Sequence, residues 1–233
     1  MVVCDAFQTA IHLLGPDSFG SLRGGTIFDA RLPLVPRYLF SSLISLLTAT
    51  GIYFSITMLY HTATVAGFAL APDPRAWPPL SDAPWAATSL RDFWGRRWHQ
   101  LFRRLFVQIG ARPAQAVFGR AGGVLGGFAL SAVLHDVCIW GMGRGTAFPQ
   151  IGGFFLLNGV AVIAEQAFER ATGRKVRGYA GWVWTMLFVL ATGNLLVDAW
   201  LTRGLAGACA IPDFIRPTWL LAQLWPALRP ALL

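Results

Sequence analysis

Charge is scarce in this sequence, and lysine is limited to Lys175. Only 13% of the 233 residues are charged, whereas 55% are hydrophobic, and the mean hydropathy is positive. A soluble domain of this length needs more polar side chains to cover its surface. The composition therefore excludes an ordinary soluble protein and indicates that membrane lipid surrounds most of the chain.

Cysteine is also rare, and no targeting peptide is recognisable at the start of the chain. Cys4, Cys138 and Cys209 are too few and too scattered to form a disulfide framework. Asp5 and Asp17 interrupt the first residues, where a secretory signal would have a basic start and an unbroken apolar core. We therefore expect insertion to depend on internal apolar segments.

The net charge of +8 raises the question of a nucleic-acid partner. The arginines, however, stand in short loops between runs that are too apolar for a soluble basic face. This distribution argues against nucleic acid and favours the phosphate-rich surface of a membrane.

Apolar runs of membrane-spanning length divide the chain. A spanning helix needs about 20 mostly apolar residues. The runs that meet this length are 38–60, 121–140, 150–168 and 179–202. Residues 61–70 are too short to span alone and are a continuation, a tilted extension or a re-entrant piece. The proline-containing tail 213–233 suits an interfacial or irregularly packed end better than a span. The fold class is therefore all-α, a polytopic transmembrane helical bundle.

Arginine distribution predicts the orientation of the spans. The stretch between the first two spans carries Arg91, Arg96, Arg97, Arg103, Arg104, Arg112 and Arg120. The connection at 141–149 has only Arg144, and the connection at 169–178 is basic again. Because basic loops stay in the cytosol, the two basic connections are predicted to be cytosolic and 141–149 extracytosolic.

Residues 89–106 have the periodicity of an amphipathic helix. At 100° per residue, one side collects Leu90, Phe93, Trp94, Trp98, Leu101, Phe102 and Leu105. The other side collects Asp92, Arg96, His99 and Arg103. This pattern predicts an amphipathic cytosolic interfacial helix, and it leaves attachment to anionic headgroups as the plainer interpretation of its charges.

A histidine stands inside the second span. Gly123, Gly127, Ser131 and His135 follow one another at intervals of four and form one stripe of a helix. Small residues at this spacing allow a close neighbour, so the stripe should face protein. An intramembrane imidazole beside Asp136 is costly unless it is paired or lines a wet cavity, so a functional site and a structural hydrogen bond stay equally open.

Other polar residues support simpler interpretations. His99 is expected to be a solvated surface histidine unless other information intervenes. Glu165 and Asp198 stand near the ends of their spans, where they favour interfacial or orienting roles. His135 and Cys138 share a helix face, but two ligands are too few for a metal site.

Several motifs together resemble a known family. They are Trp77–Pro79, Ser89–Gln100 (SLRDFWGRRWHQ), Ser131–Asp136 (SAVLHD), Gly153–Phe155 with Asn158, Thr172–Arg174 and Asp198–Trp200. In this order they resemble the wax-synthase-like branch of the membrane-bound O-acyltransferases, and most closely its fungal members. The resemblance covers about 75–205, within a membrane domain of 38–233 that follows an N-terminal segment of 1–37.

The resemblance implies roles for specific residues. His135 corresponds to the family's membrane-buried catalytic histidine, and His99 stands where plant-type relatives carry Asn. The implied site comprises two catalytic residues, His135 and His99, and a substrate-binding set. That set is Asp92, Trp94, Arg96, Trp98, Ser131, Asp136 and Asn158.

The implied reaction moves an acyl group from acyl-CoA to the hydroxyl of a lipophilic alcohol, such as a terpenoid or a long-chain alcohol. Analogy with the fungal members suggests an acetyl group. No cofactor or metal is expected beyond acyl-CoA as co-substrate, and the expected location is the endoplasmic reticulum. The family usually has more spans, which keeps a shortened or non-catalytic relative open; a transporter is disfavoured because no internal repeat is visible.

Overall fold

The computed structural model describes residues 1–208 and 212–225, and these are helical with no strand. Cys209 and the end of the predicted interfacial tail lie outside the described residues. The helices are α1 (Val2–Leu14), α2 (Leu34–Phe68), α3 (Leu90–Asp92), α4 (Arg103–Leu105), α5 (Arg112–Gly141), α6 (Phe148–Thr172), α7 (Gly178–Leu201) and α8 (Pro217–Leu224).

All four predicted spans are confirmed as long apolar helices. Within the described residues, α2, α6, α7 and the stretch Arg103–Gly141 are long and apolar enough to cross a membrane. The apolar stretch after Tyr60 continues α2 without a break to Phe68, so continuation is the correct alternative for 61–70. Hydropathy and length alone identified these elements.

The chain divides into two compact units. The first contains Met1–Pro78 and Val197–Leu233, and the second contains Pro79–Leu196. The core of the first unit is formed by Ile11, Phe19, Ile27, Ile44, Val197 and Leu201. The second unit holds every residue of the predicted site.

Two carboxylates organise the first unit. Asp5 is fully buried and accepts hydrogen bonds from Arg216 Nε (3.0 Å), Thr218 N (2.7 Å) and Thr218 Oγ1 (2.9 Å), so it caps α8 against α1. Asp198 accepts from Thr26 Oγ1 (2.7 Å) and Ile27 N (2.9 Å). Both bind N–H groups that a helix start or a turn leaves unpaired, and the predicted orienting role of Asp198 is confirmed.

The second unit contains a tight helical hairpin in place of a cytosolic loop. From Arg103 the chain stays helical through a π-helical stretch, Phe106–Ala111, into α5. It then reverses at Gly119, whose φ of 67° and ψ of −164° are non-helical. Residues 103–118 form a first leg packed on a second leg, residues 120–141. The prediction that 103–120 belongs to a loop is therefore wrong.

Small residues make this hairpin possible. A Cβ atom on Gly126 would lie 2.5 Å from both the Gly110 carbonyl oxygen and Ala114 Cβ. A Cβ atom on Gly123 would lie 2.9 Å from Gln115 Cβ. The predicted small-residue stripe therefore does face protein, as expected, but the glycines face the preceding leg of their own hairpin.

The second leg and α6 pack against each other in opposite directions. They are joined by a short connection, and Gly159 of α6 lies against Leu125 and Phe128 of the second leg. The hairpin tip at Gly119 is therefore at the same end of the unit as the basic connection between α6 and α7. Half of the apolar stretch of α6 is buried, more than in the other three spans, so α6 is the central helix.

The predicted amphipathic helix over 89–106 is wrong. α3 passes into a π-helical turn, Phe93–Arg97, and Trp98 is extended, with φ −71° and ψ 152°. Helix resumes only at Arg103. Leu90 and Phe93 are buried, whereas Leu101, Phe102 and Leu105 of the same predicted face are exposed. We call residues 89–102 the entering segment. This segment runs along α6 into the unit, because its contacts with α6 outweigh the helical periodicity of its sequence.

The hairpin contact yields a first prediction. Gly126→Ala adds a methyl group that collides with backbone of the first leg, so we expect a lower midpoint of thermal unfolding for the purified protein in detergent. Gly193→Ala in α7 is the matched control, because nothing lies within 4 Å of its Cβ position. The control should keep or gain stability, by up to about 1 kcal/mol from helix propensity. Equal midpoints for the two variants would contradict the close approach of the two legs.

Candidate active site

Two histidines lie near each other in the second unit. His135 lies on the second leg of the hairpin, half-buried, with its ring centroid 4.6 Å from that of Phe155 on α6. His99 lies in the extended part of the entering segment, close enough for the charge of His135 to act on it. The entering segment and the hairpin thus bring together two residues that are distant in sequence.

A backbone contact fixes the tautomer of His135. Its Nδ1 atom is 2.7 Å from the Ser131 carbonyl oxygen. A carbonyl oxygen can only accept, so Nδ1 must carry the proton of the neutral ring and donate it. Nε2 is then the nitrogen with a lone pair, which is the form that can take a proton from a hydroxyl.

His99 is a half-buried, neutral histidine. Among the described residues its Nδ1 atom is buried without a hydrogen-bond partner. Burial, followed by the charge of His135, lowers the pKa of His99 from 6.5 to about 4. The expectation of a solvated surface histidine is therefore wrong, because the break after Trp98 turns His99 into the unit.

Glu165 holds the start of the entering segment. Its carboxylate is buried and accepts hydrogen bonds from Leu90 N (2.8 Å), Arg91 N (3.0 Å) and Trp184 Nε1 (3.0 Å). The first N–H groups of a helix have no partner within the helix, and a carboxylate is favoured there. The predicted orienting role of Glu165 is thereby confirmed, and its partner is a segment 75 residues earlier in the chain.

Asn158 holds the next turn of that segment. Its Oδ1 atom accepts from Trp94 Nε1 at 3.0 Å, and its Nδ2 atom donates to Phe154 O (2.9 Å) and Thr192 Oγ1 (3.1 Å). Asn158 is fully buried. As the segment advances from Leu90 to Trp94, its contacts on α6 move from Glu165 past Asn158 to Phe155, which is about 15 Å along the helix axis.

Aromatic rings lie beside the two histidines and around Trp94. Trp94 lies 5.8 Å from Phe128, 5.9 Å from Phe154 and 6.4 Å from Phe155, measured between ring centroids. Trp98 lies 5.5 Å from His99. The site is therefore largely apolar, with few polar groups, as small-molecule sites commonly are.

Two of the predicted substrate-binding residues belong to a separate charged cluster. Asp92 accepts from Arg97 Nε at 2.6 Å and from Arg96 Nε at 3.0 Å. Burial tends to raise the pKa of Asp92, but hydrogen bonds from Arg97 and Arg96 outweigh it and hold the pKa below its ordinary value. Arg97 also donates to the Asp82 carbonyl oxygen at 2.9 Å. Sequence analysis counted Arg97 among the basic residues between the first two spans and gave it no role in the site.

Asp136 has a partner of its own. It is buried and accepts a hydrogen bond from Ala147 N at 2.7 Å, at the residue before α6 begins. Ser131, also buried, lies one turn before His135 and supplies the carbonyl oxygen described above. The structure therefore gathers His99, His135, Trp94, Trp98, Ser131 and Asn158 in one region. It adds Phe155, which the Gly153–Phe155 motif had signalled without a role.

Part of the chain is similar in sequence to known acyltransferases. Residues 77–157 match the model of the membrane bound O-acyl transferase family. The chain is 32% identical over 135 residues to a long-chain-alcohol O-fatty-acyltransferase of Simmondsia chinensis, which covers 54% of this chain and 38% of that protein. It is 29% identical over 191 residues to the acetyltransferase eriL of Hericium erinaceus, covering 76% and 49%.

A third relative extends the range of acceptors named. It is an acyl-CoA–sterol O-acyltransferase of Arabidopsis thaliana, 29% identical over 155 residues, covering 63% of this chain and 44% of that protein. The chain spans less than half the length of each of these three relatives. No solved structure matches it. The resemblance drawn from the motifs is confirmed.

The buried state of His99 yields a second prediction, on pH and stability. The folded pKa of about 4 lies below the ordinary value of 6.5, so the unfolded chain binds more protons between these values. We therefore expect the midpoint of thermal unfolding to fall as pH is lowered from about 6.5 to about 4.

The comparison of two variants isolates this effect. His99→Asn retains a polar side chain that does not titrate, and it should flatten the fall in midpoint. His61→Asn, at an exposed position of α2, should leave the pH dependence as in the parent. A His99→Asn curve parallel to that of the parent protein would show that His99 is not buried in its neutral form.

Proposed function

Because residues 77–157 carry the sequence of the membrane bound O-acyl transferase family, we propose that this chain is an integral membrane O-acyltransferase. It transfers an acyl group from acyl-CoA to the hydroxyl of a lipophilic alcohol. The single observation that supports it best is His135, held by the Ser131 carbonyl oxygen with Nε2 as its proton-accepting nitrogen.

The reaction follows from that geometry. His135 Nε2 takes the proton of the acceptor hydroxyl as the hydroxyl oxygen attacks the carbonyl carbon of the thioester. The new carbon–oxygen bond forms, the carbon–sulfur bond breaks, and the proton passes from His135 to the departing sulfur. The products are an ester and free CoA thiol. Phe155 beside His135, with Trp94 and Phe154 next to it, makes this region apolar. An apolar site keeps water scarce, which favours the alcohol over hydrolysis.

Charge at one end of the second unit supports CoA as the carrier. The hairpin tip and the connection between α6 and α7 share that end, where Arg91, Arg120, Arg170, Arg174, Lys175 and Arg177 are exposed or half-buried. Glu169, an acidic side chain in the last turn of α6, pairs with Arg91 at 3.7 Å and Lys175 at 3.8 Å. The remaining cations suit the phosphates of CoA.

The distance from that end to the histidine also fits. From Arg120 to His135 the second leg rises about 22 Å. An extended pantetheine arm is of this order of length, so phosphates at the basic end can deliver a thioester near His135. The predicted cytosolic side of the basic end agrees with the side on which CoA esters are found.

Several finer assignments stay predictions. The relatives are named for long-chain alcohols, a sterol and acetyl transfer, so a lipophilic acceptor is common to those that name an alcohol. The finer predictions concern the acyl group, acetyl, the acceptor, a terpenoid, and the location, the endoplasmic reticulum. They also include substrate contacts by Asp92, Arg96 and Asp136.

Replacement of His135 is the third prediction. His135→Ala removes the proton acceptor, so we expect acyl transfer to fall by about 100-fold or more, the usual contribution of a general base. The measurement is formation of labelled ester in microsomes that contain the chain, with labelled acetyl-CoA and a panel of terpenoid, sterol and fatty alcohols.

The control for that experiment lies on the same helix. Cys138→Ala changes an exposed residue one turn further on and should keep full activity at the same level of membrane insertion. Retained activity in His135→Ala would remove His135 from the mechanism. If the inserted parent chain forms no ester with any alcohol, the non-catalytic alternative replaces the enzyme.

A further inference from the structure

The indole of Trp94 contacts the aromatic rings that lie next to the two histidines. On one side its ring lies 6.4 Å from Phe155, which in turn lies 4.6 Å from His135. On the other side it lies 6.4 Å from Trp98, which lies 5.5 Å from His99. Trp94 therefore stands between the ring that supports His135 and the ring that supports His99.

A single hydrogen bond fixes the plane of this indole. Trp94 Nε1 donates to Asn158 Oδ1, whose own side chain is immobilised by bonds to Phe154 O and Thr192 Oγ1. Stacking contacts alone allow a large ring to slide, whereas a buried indole N–H has one direction of donation. Asn158 thus determines where the indole lies relative to α6 and α7.

The polar groups of Asn158 are therefore occupied. Its carbonyl oxygen accepts from Trp94, both donors of its amide have acceptors, and the residue is fully buried, so a bound molecule would have to displace packed groups to reach it. The same bond uses the only N–H of the indole. These contacts favour a role for Asn158 in holding the indole of Trp94. The resemblance had implied that Asn158 binds substrate.

We propose that Trp94, fixed by Asn158, is a positioning residue that sets the separation and orientation of His99 and His135. The proposal rests on the proposed acyl transfer, and it assigns these two motif residues to the geometry of the catalytic pair. Loss of the indole hydrogen bond should let the Trp94 ring shift, so that Phe155 and Trp98 no longer hold the two imidazoles in one arrangement. We expect this shift to lower the rate of the chemical step, since substrates would bind as before.

Trp184 offers a matched control. It is also a tryptophan of the second unit with one buried partner, and its Nε1 atom donates to Glu165 Oε1 at 3.0 Å. Its ring contact is with Phe188, at 5.0 Å, and it has no ring contact with the rings beside the histidines among the described residues. Trp94→Phe and Trp184→Phe therefore each remove one indole hydrogen bond of equal length, and only Trp94 contacts the rings beside the histidines. In Trp184→Phe, Glu165 keeps the hydrogen bonds from Leu90 N and Arg91 N that hold the entering segment.

The experiment, the fourth prediction, measures kcat, KM and histidine titration for the full chain in detergent or lipid nanodiscs. Both variants should lower the midpoint of thermal unfolding to a similar extent. Trp94→Phe should lower kcat by about 10-fold or more, because a displacement of about 1 Å at reacting groups can cost about 100-fold. KM for acetyl-CoA and for the alcohol should stay within about twofold, as expected when only the transition state is affected.

Histidine titration supplies a readout that needs no activity. With labelled histidine side chains followed by nuclear magnetic resonance, the titration midpoint of His99 should move in Trp94→Phe and stay in place in Trp184→Phe. A parent chain that forms no ester would overturn the proposed acyl transfer and leave this titration to test the positioning role.

Two results would overturn the positioning role. One is an equal loss of kcat in both variants at an equal folded fraction, with no change in the His99 titration, which would make Trp94 a structural residue only. The other is a raised KM for either substrate with kcat unchanged, which would make Trp94 a substrate contact.

Discussion

The buried carboxylate of Glu165 is the interaction on which the site depends. A segment that leaves helical geometry inside a membrane protein exposes backbone N–H groups, and each group without a partner costs several kcal/mol in lipid. Glu165 takes the N–H groups of Leu90 and Arg91, together with the indole of Trp184. This one side chain on α6 therefore lets polar backbone enter beside α6, and everything further along the segment follows from that anchoring. Asn158 acts in the same way further along α6, where its Oδ1 atom accepts the indole N–H of Trp94.

The hairpin supplies the opposite wall of the site by a different means. Gly110 and Gly126 allow backbone to approach backbone, so the two legs associate through close van der Waals contact at these glycines. The second leg is thereby fixed against the first, and His135 takes its position from that leg. The site thus combines a wall built by small residues with an entering segment held by two buried acceptors on the central helix.

Hydropathy predicted the spans, and the interval of four predicted the face of His135, because both depend on a property that is periodic along one helix. The entering segment could not be predicted in the same way. The apolar period of Leu90, Phe93 and Trp94 fits a helix on a membrane surface and equally fits a segment packed against protein. The two structures differ in the hydrogen-bond partners of this segment, which lie 64 to 75 residues away in the chain. The reversal at Gly119 was hidden for a similar reason, since a glycine in an apolar run has no signature until its φ is known.

The neutral state of His99 connects this architecture with the proposed reaction. In that reaction His135 becomes a cation when it accepts a proton from the alcohol, and a second cation nearby would oppose the step by direct repulsion. Burial keeps the pKa of His99 near 4, so at neutral pH it adds no charge against His135. The extended backbone at Trp98 that disrupts the predicted helix is what places His99 in that buried position. The departure from regular helix and the chemistry assigned to the site are therefore two consequences of one backbone feature: a regular helix would keep His99 on the solvated side, free to gain a charge.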